Sequence, residues 1–343
     1  MIPIFDGHND ALTSPNHALL AAGGGDGHLD IPRMRAGGVR GGIFAVFIES
    51  SEPPAQPAKR LAGSYTWPVA RRVQHARATA AAAALTGRLL ALERMGAVRI
   101  ARSIADVDAA ATDAGPPVAV LHFEGAEAID PQLESLETWY AAGLRSLGPV
   151  WSRSNAFGHG VPFSFPSSPD TGPGLTGNGI GLVRRCAELG IALDLSHMNE
   201  AGFWDVARLD AGPLIVSHAG VHSISPCSRN LTDAQLDAIA ESEGLVGIVF
   251  SCAFLRPDFA EDPATTPLEL IVEHVRYVAD RVGIEHVAFG SDFDGTTVPD
   301  ALGDAAAYPK LLDALARDGF TPADVRAVAW ENWRRVLDAW WRR

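Results

Sequence analysis

The sequence predicts an α/β chain folded as one (β/α)8 TIM barrel spanning residues 1–343. Three observations predict it. At 343 residues the chain exceeds a small module and matches one barrel of about 250 residues with insertions. Eight short apolar runs recur along it, mostly separated by helical segments, the alternation that gives a parallel sheet. The polar residues His8, Asp10, Glu124, His197, His218 and Asp292 each follow such a run, at the face where barrels of this kind collect side chains from several strands.

The first run, Met1–Phe5, ends in Asp6-Gly7-His8-Asn9-Asp10. Residues two apart on a strand share a face, so His8 and Asp10 can aim at one point. Taken alone, the same His-x-Asp also fits a polar turn after an edge strand. A Gly-rich loop and the Gly37-Gly38 turn lead to the second strand, Gly42–Ile48. Ser51–Pro57 is a Pro/Ala loop, and Trp67–Met95, without proline after Pro68, predicts a long outer helix. Pro117–Phe123 is apolar on both faces apart from His122, as expected for a strand covered by helices, and ends at Glu124. A helix over Pro131–Ala142 precedes the fourth strand, Leu144–Trp151, which opens a Pro-rich loop from Ser152 to Gly177, of a length that usually carries function.

A helix over Gly179–Leu189 is stopped by Gly190, and strand five, Ile191–Leu195, ends in Ser196-His197. Strand six, Pro213–Val216, ends in Ser217-His218, and strand seven is Leu245–Phe250. Thr266 as N-cap and Pro267 at the first position open a helix that Gly283 stops. His286–Phe289 is strand eight, followed by Gly290-Ser291-Asp292-Phe293-Asp294-Gly295, and two helices, about 305–318 and 322–341, close the chain. The cluster Trp330, Trp333, Trp340 and Trp341 reads as a packed helix or a subunit interface.

Composition excludes several classes. A net charge of −13 and a pI near 5.2 leave no basic face for nucleic acid. With 47% hydrophobic and 20% charged residues the chain is globular rather than disordered. Three cysteines, Cys186, Cys227 and Cys252, lack metal-like spacing and read as buried free thiols. No apolar run reaches membrane-spanning length and no leader pattern opens the chain, so a cytoplasmic protein without a membrane partner is expected.

Three imidazoles and two carboxylates are enough for two metal ions if one carboxylate is shared. The chain's only lysines, Lys59 and Lys310, follow no core strand, which removes a modified lysine as the bridge. Glu124 becomes the bridging candidate: His8, Asp10 and Glu124 on one ion, Glu124, His197 and His218 on the other.

With these motifs in place the chain resembles the renal or membrane dipeptidases, a branch of the metal-dependent amidohydrolase barrels. The resemblance runs nearly end to end and rests on Asp6-Gly7-His8-Asn9-Asp10, Phe123-Glu124-Gly125-Ala126, Leu193-Asp194-Leu195-Ser196-His197, Ser217-His218 with Arg229-Asn230, and Gly290 to Gly295. It implies two Zn2+ ions bridged by Glu124 and a water or hydroxide, hydrolysis of dipeptides with tolerance of a C-terminal D-residue, and a homodimer. It further implies that Asp292 handles protons and that Arg229 holds the substrate carboxylate, a task guanidinium suits through paired hydrogen bonds.

One position departs. Many members end strand four with a histidine that helps hold the oxyanion, and here that position is Trp151, whose indole offers one N–H and no charge. Asn155 and His159 are the candidates to take over. His222 either contacts substrate or begins a turn, and Asp294 either shares proton transfer or caps its loop. Two further readings remain at this stage: a hydrolase of another small amide, cyclic amide or lactone, and a non-catalytic binding scaffold.

Overall fold

The computed structural model describes residues 2–112 and 115–342. All eight apolar runs are parallel strands of one barrel: β1 (Ile4–Asn9), β2 (Val39–Phe47), β3 (Val118–Glu124), β4 (Leu144–Gly148), β5 (Ala192–Leu193), β6 (Ile215–Ala219), β7 (Leu245–Ile248) and β8 (Val287–Phe289). Continuous ladders run β1 to β5 and β6 to β8 in chain order. Single bridges, Asp194 to Ile215 and Asn9 to Phe293, join the two sheets at both edges and close the ring. The strands are buried almost throughout because their inner faces fill the barrel and helices cover the outer faces.

The largest departure from expectation is a small antiparallel sheet, Lys59–Leu61, Ser64–Trp67 and Phe163–Phe165, outside the barrel. Gly63, at φ 75°, makes the hairpin turn, and Pro68 holds Trp67 extended, so the helix expected from Trp67 starts at His75 instead. The Ser152–Gly177 segment therefore contains a strand as well as loop. Thr266 does not cap its helix: its Oγ1 donates to the Asp262 carbonyl, and the helix begins at Glu269. The last segment is divided into Pro322–Arg326, a π turn over Ala327–Glu331, and Asn332–Trp341.

The tryptophans of that segment lock it to the barrel. Trp333, Trp340 and Trp341 donate their indole N–H groups to the carbonyls of Phe289, Pro213 and Arg145, at 2.9, 3.0 and 3.2 Å. Gly7 in β1 is required by this packing, since a Cβ there would stand 2.3 Å from Trp333 and 2.7 Å from the Phe289 carbonyl oxygen. Among the described residues no helix is long and apolar enough to cross a membrane.

His274 clamps the loop after β6. Fully buried, it accepts from the Val221 amide at Nδ1 (2.9 Å), so Nε2 carries the proton given to the Leu255 carbonyl (3.1 Å). Burial drives its pKa down to about 4 against a pull upward from the Leu255 bond. Its folded pKa lies below the unfolded value near 6.5, so the unfolded chain binds the extra proton and stability falls as pH drops from about 6.5 toward 4. His274→Gln keeps an acceptor and a donor without titrating; denaturant melts from pH 7 to 4.5 should show the wild type losing up to about 3 kcal/mol more than the variant.

Candidate metal centre

The ends of β1, β3, β5 and β6 bring the imidazoles and carboxylates to one point. The Glu124 Oε1 atom lies 2.9 Å from His197 Nε2 and 3.7 Å from both His8 Nε2 and His218 Nε2. Asp10 Oδ2 is 3.7 Å from His8 Nε2, and the Nε2 atoms of His197 and His218 are 3.0 Å apart. Asp292 joins His8 and Asp10 in a second group with ligand-scale spacing, beside the group Glu124, His197 and His218.

The backbone is bent to make this possible. His197 and Asp292 have φ of 64° and 59°, left-handed values that cost a non-glycine residue free energy and turn each side chain in at the end of its strand. At the β8–β1 seam, Asp292 N donates to the His8 carbonyl and Asp10 N to the Phe293 carbonyl, which sets the two carboxylates side by side. Gly295 leaves room for them, because a Cβ would come within 2.2 Å of Asp10 Oδ2 and 2.4 Å of Asp292 Oδ1.

Electrostatics here calls for a cation. Burial raises Glu124 well above the carboxylate range and, with Asp10 adding to it, lifts Asp292 to about 7. Burial alone would lower His8, yet Glu124, Asp10 and Asp292 outweigh it and hold the imidazole at about 10. His197 and His218 are pushed far down, chiefly by burial, and so keep the neutral lone pairs a metal ligand needs. Neither ring nitrogen of His8, nor Asp10 Oδ1, has a hydrogen-bond partner among the described residues, although each is buried. The donor set, imidazole and carboxylate, fits divalent metal.

Groups beneath the site fix the rings. His197 Nδ1 meets Ser152 Oγ at 2.8 Å and His218 Nδ1 meets Ser217 Oγ at 2.9 Å. Asp194 gathers Ser217 Oγ, Ser217 N, Ser196 N and Ser196 Oγ on its two oxygens, at 2.5 to 3.0 Å. The sequence contained Asp194 within a motif without assigning it a task; a carboxylate within an otherwise apolar strand was the available signal.

Arg229 is buried, donates to the His218 carbonyl at 3.0 Å, lies 3.4 Å from His197 Nε2, and has an Nε without a partner among the described residues. Trp151 lines the cavity above the site and tilts over the His197 ring at 5.4 Å. Asn155, His159 and His222 do not line that cavity. Asn155 accepts from Phe157 N and Gly158 N and donates to the Pro149 carbonyl, while the rings of His159 and His222 meet the Gly174 and Ser167 carbonyls. The expected substitutes for the strand-four histidine are thus occupied in closing loops. Asp294 accepts from His28 N and ties two loops together, although it also reaches the cavity wall.

The family described as "Membrane dipeptidase (Peptidase family M19)" matches residues 1–340. The chain belongs to this family. Among solved structures, this dipeptidase-family chain is similar to a metallo peptidase from Rhodobacter sphaeroides liganded with a phosphinate mimic of the dipeptide L-Ala-D-Ala, at 41% identity and TM-score 0.92, with 99% of each chain covered. A metallo peptidase called dipeptidase AC is similar at 43% identity and TM-score 0.92, again over 99% of each chain. An uncharacterized Klebsiella pneumoniae protein is 46% identical over 247 residues, 72% of this chain and 90% of its own. Membership makes the chain a metal-dependent hydrolase on an amidohydrolase-type barrel.

If Asp194 aims the His218 ring through Ser217, Asp194→Asn should weaken divalent-metal affinity about 10- to 100-fold. Competition with a metal-binding dye measures it, with circular dichroism as the check on folding.

Proposed function

We propose that this chain is a dizinc dipeptidase, a single barrel domain over residues 1–343, that hydrolyses dipeptides and accepts a D-residue at the C-terminal position. The observation that carries the reading is the convergence of His8, His197 and His218 on Glu124 beside a cavity of about 350 Å3, at the small end of the ~300–1,000 Å3 typical of small-ligand sites. His8, Asp10 and Glu124 would hold one ion, and Glu124, His197 and His218 the other. When bound, the pair supplies an activated water at neutral pH and polarises the scissile carbonyl.

The remaining work falls to side chains. Asp292 stands against Asp10 at the β8–β1 seam, placed to take a proton from the attacking water and give it to the departing amine. Arg229, with Nη2 3.4 Å from His197 Nε2 and an Nε without a partner among the described residues, is suited to the substrate's terminal carboxylate. The solved relative at 41% identity binds a mimic of L-Ala-D-Ala, which supports both the dipeptide and the D-residue. Three buried, unbridged cysteines support a cytoplasmic place, and the homodimer implied by the resemblance is open to a solution mass measurement.

Metal analysis should give about two zinc ions per chain, and chelation should abolish cleavage of Xaa-D-Ala dipeptides; full activity after chelation overturns the reading. Asp292→Asn should lower kcat about 10²- to 10⁴-fold. Trp151 favours a second reading, a hydrolase of another small amide or lactone, and a substrate panel at equal metal content separates the two.

A further inference from the structure

One wall of the cavity is aromatic. Phe47, Tyr65, Trp151, Phe163, Phe254 and Phe259 all line it, and each is only half-buried. They form a continuous chain: Trp151 meets Phe163 at 5.9 Å, Phe163 stacks on Phe254 at 6.0 Å, Phe254 meets Phe259 at 5.9 Å, and Phe259 reaches Tyr65 at 5.5 Å. Rings packed for stability alone would be covered on both faces, as Phe123 and Phe289 are in the barrel core.

Phe259 supplies a second, independent observation. Its φ is 56°, a conformation that disfavours a bulky side chain, yet its ring is held parallel to Phe165 at 5.2 Å and 9°. A strained backbone that delivers an aromatic ring to a cavity wall marks a ring with a task beyond filling space.

The wall also has an orientation. The Arg229 guanidinium lies over the Phe254 ring at 5.5 Å, so the middle of the wall adjoins the group proposed to hold the substrate carboxylate. The cavity is also lined by Ser14, Asp294 and Thr296, polar and acidic groups suited to an ammonium group. Arg60 lies over the Tyr65 ring at 5.1 Å, and Glu261 on the same cavity wall opposes its charge at Tyr65.

We propose that Phe163, Phe254 and Phe259 form the pocket for the side chain of the substrate's C-terminal residue, and that this enzyme selects dipeptides in which that side chain is large and apolar. The inference rests on the dipeptidase reading and on Arg229 as the carboxylate anchor. Burying a Leu- or Phe-sized group is worth at least about tenfold in kcat/KM over glycine.

The experiment uses zinc-loaded full-length protein and two dipeptide series, one varied at the C-terminal residue through Gly, D-Leu, D-Phe, D-Glu and D-Lys, the other varied at the N-terminal residue. Expected is a rise of tenfold or more from Gly to D-Leu or D-Phe in the first series, with D-Glu and D-Lys remaining near Gly. Phe259→Gly, which relieves the left-handed backbone while deleting the ring, should reduce that ratio several-fold at unchanged zinc content and melting temperature. Phe259→Tyr should retain it. Calorimetric Kd values for phosphinate mimics carrying D-Leu or Gly should follow the same order, as a readout independent of turnover. A flat first series, a preference confined to the N-terminal residue, or a preference for D-Glu through Arg60 overturns the pocket while leaving the dipeptidase reading intact. Failure to cleave any dipeptide, with the mimics not bound, overturns both.

Discussion

Everything at the mouth of this barrel depends on holding Asp10, Glu124 and Asp194 out of water within one small region, with Asp292 half-buried beside them. Burying even one carboxylate without a counter-charge costs several kcal/mol, so the cluster is tolerable only if positive charge comes with it. Asp194 finds donors in the two serines below, and the others face imidazoles. The result is a site whose charge deficit is local and matched in size by divalent ions. Without them the same deficit draws a proton onto His8, which the surrounding carboxylates hold in place despite its burial.

The fold places this cluster where its own hydrogen bonding is thinnest. Two long ladders account for most of the ring, and the seams between them rest on single bridges. One seam sets Asp10 against Asp292 through exchanged backbone bonds with Phe293 and His8. The other passes from Leu195 N to the Ile215 carbonyl, with Asp194 accepting from Ser217 N, and carries His197 and His218. Glu124, in the middle of the longer ladder, is the fixed member that both seams must meet. Closing the barrel and assembling the cluster are therefore one geometric event, and the Trp333 and Trp340 indoles, bonded to carbonyls of Phe289 and of Pro213 just before β6, brace the segments leading into those seams.

What the sequence disclosed follows from which signals are local. A short apolar run and its abrupt end belong to a few residues, so the eight strands and the residues after them were legible, His8, Glu124, His197 and His218 among them. The three-stranded sheet was not, because Lys59–Leu61 and Phe163–Phe165 are three residues each and more than 100 positions apart. His159 and His222 stayed open for a related reason. A loop histidine looks the same in sequence whether its ring faces substrate or a carbonyl, and the partners here lie 15 and 55 residues away. Asp194 shows the converse: a buried carboxylate in a strand is visible, but its task depends on Ser217, a neighbour only across a seam.

Trp151 illustrates how a residue change can leave the electrostatics of a site largely in place. An indole cannot carry the charge of a protonated histidine, but the fully buried Arg153 stands behind it, 5.3 Å from the Trp151 ring and 5.6 Å from Phe47. Glu127 holds that guanidinium through Nε at 2.7 Å, and its charge is felt at His197, where it helps keep the imidazole neutral. An aromatic ring thus stands between that positive charge and the cavity. What the exchange removes is a charged hydrogen-bond donor; what it adds is the first ring of the apolar wall. Trp151 therefore joins His197 to the aromatic wall of the cavity.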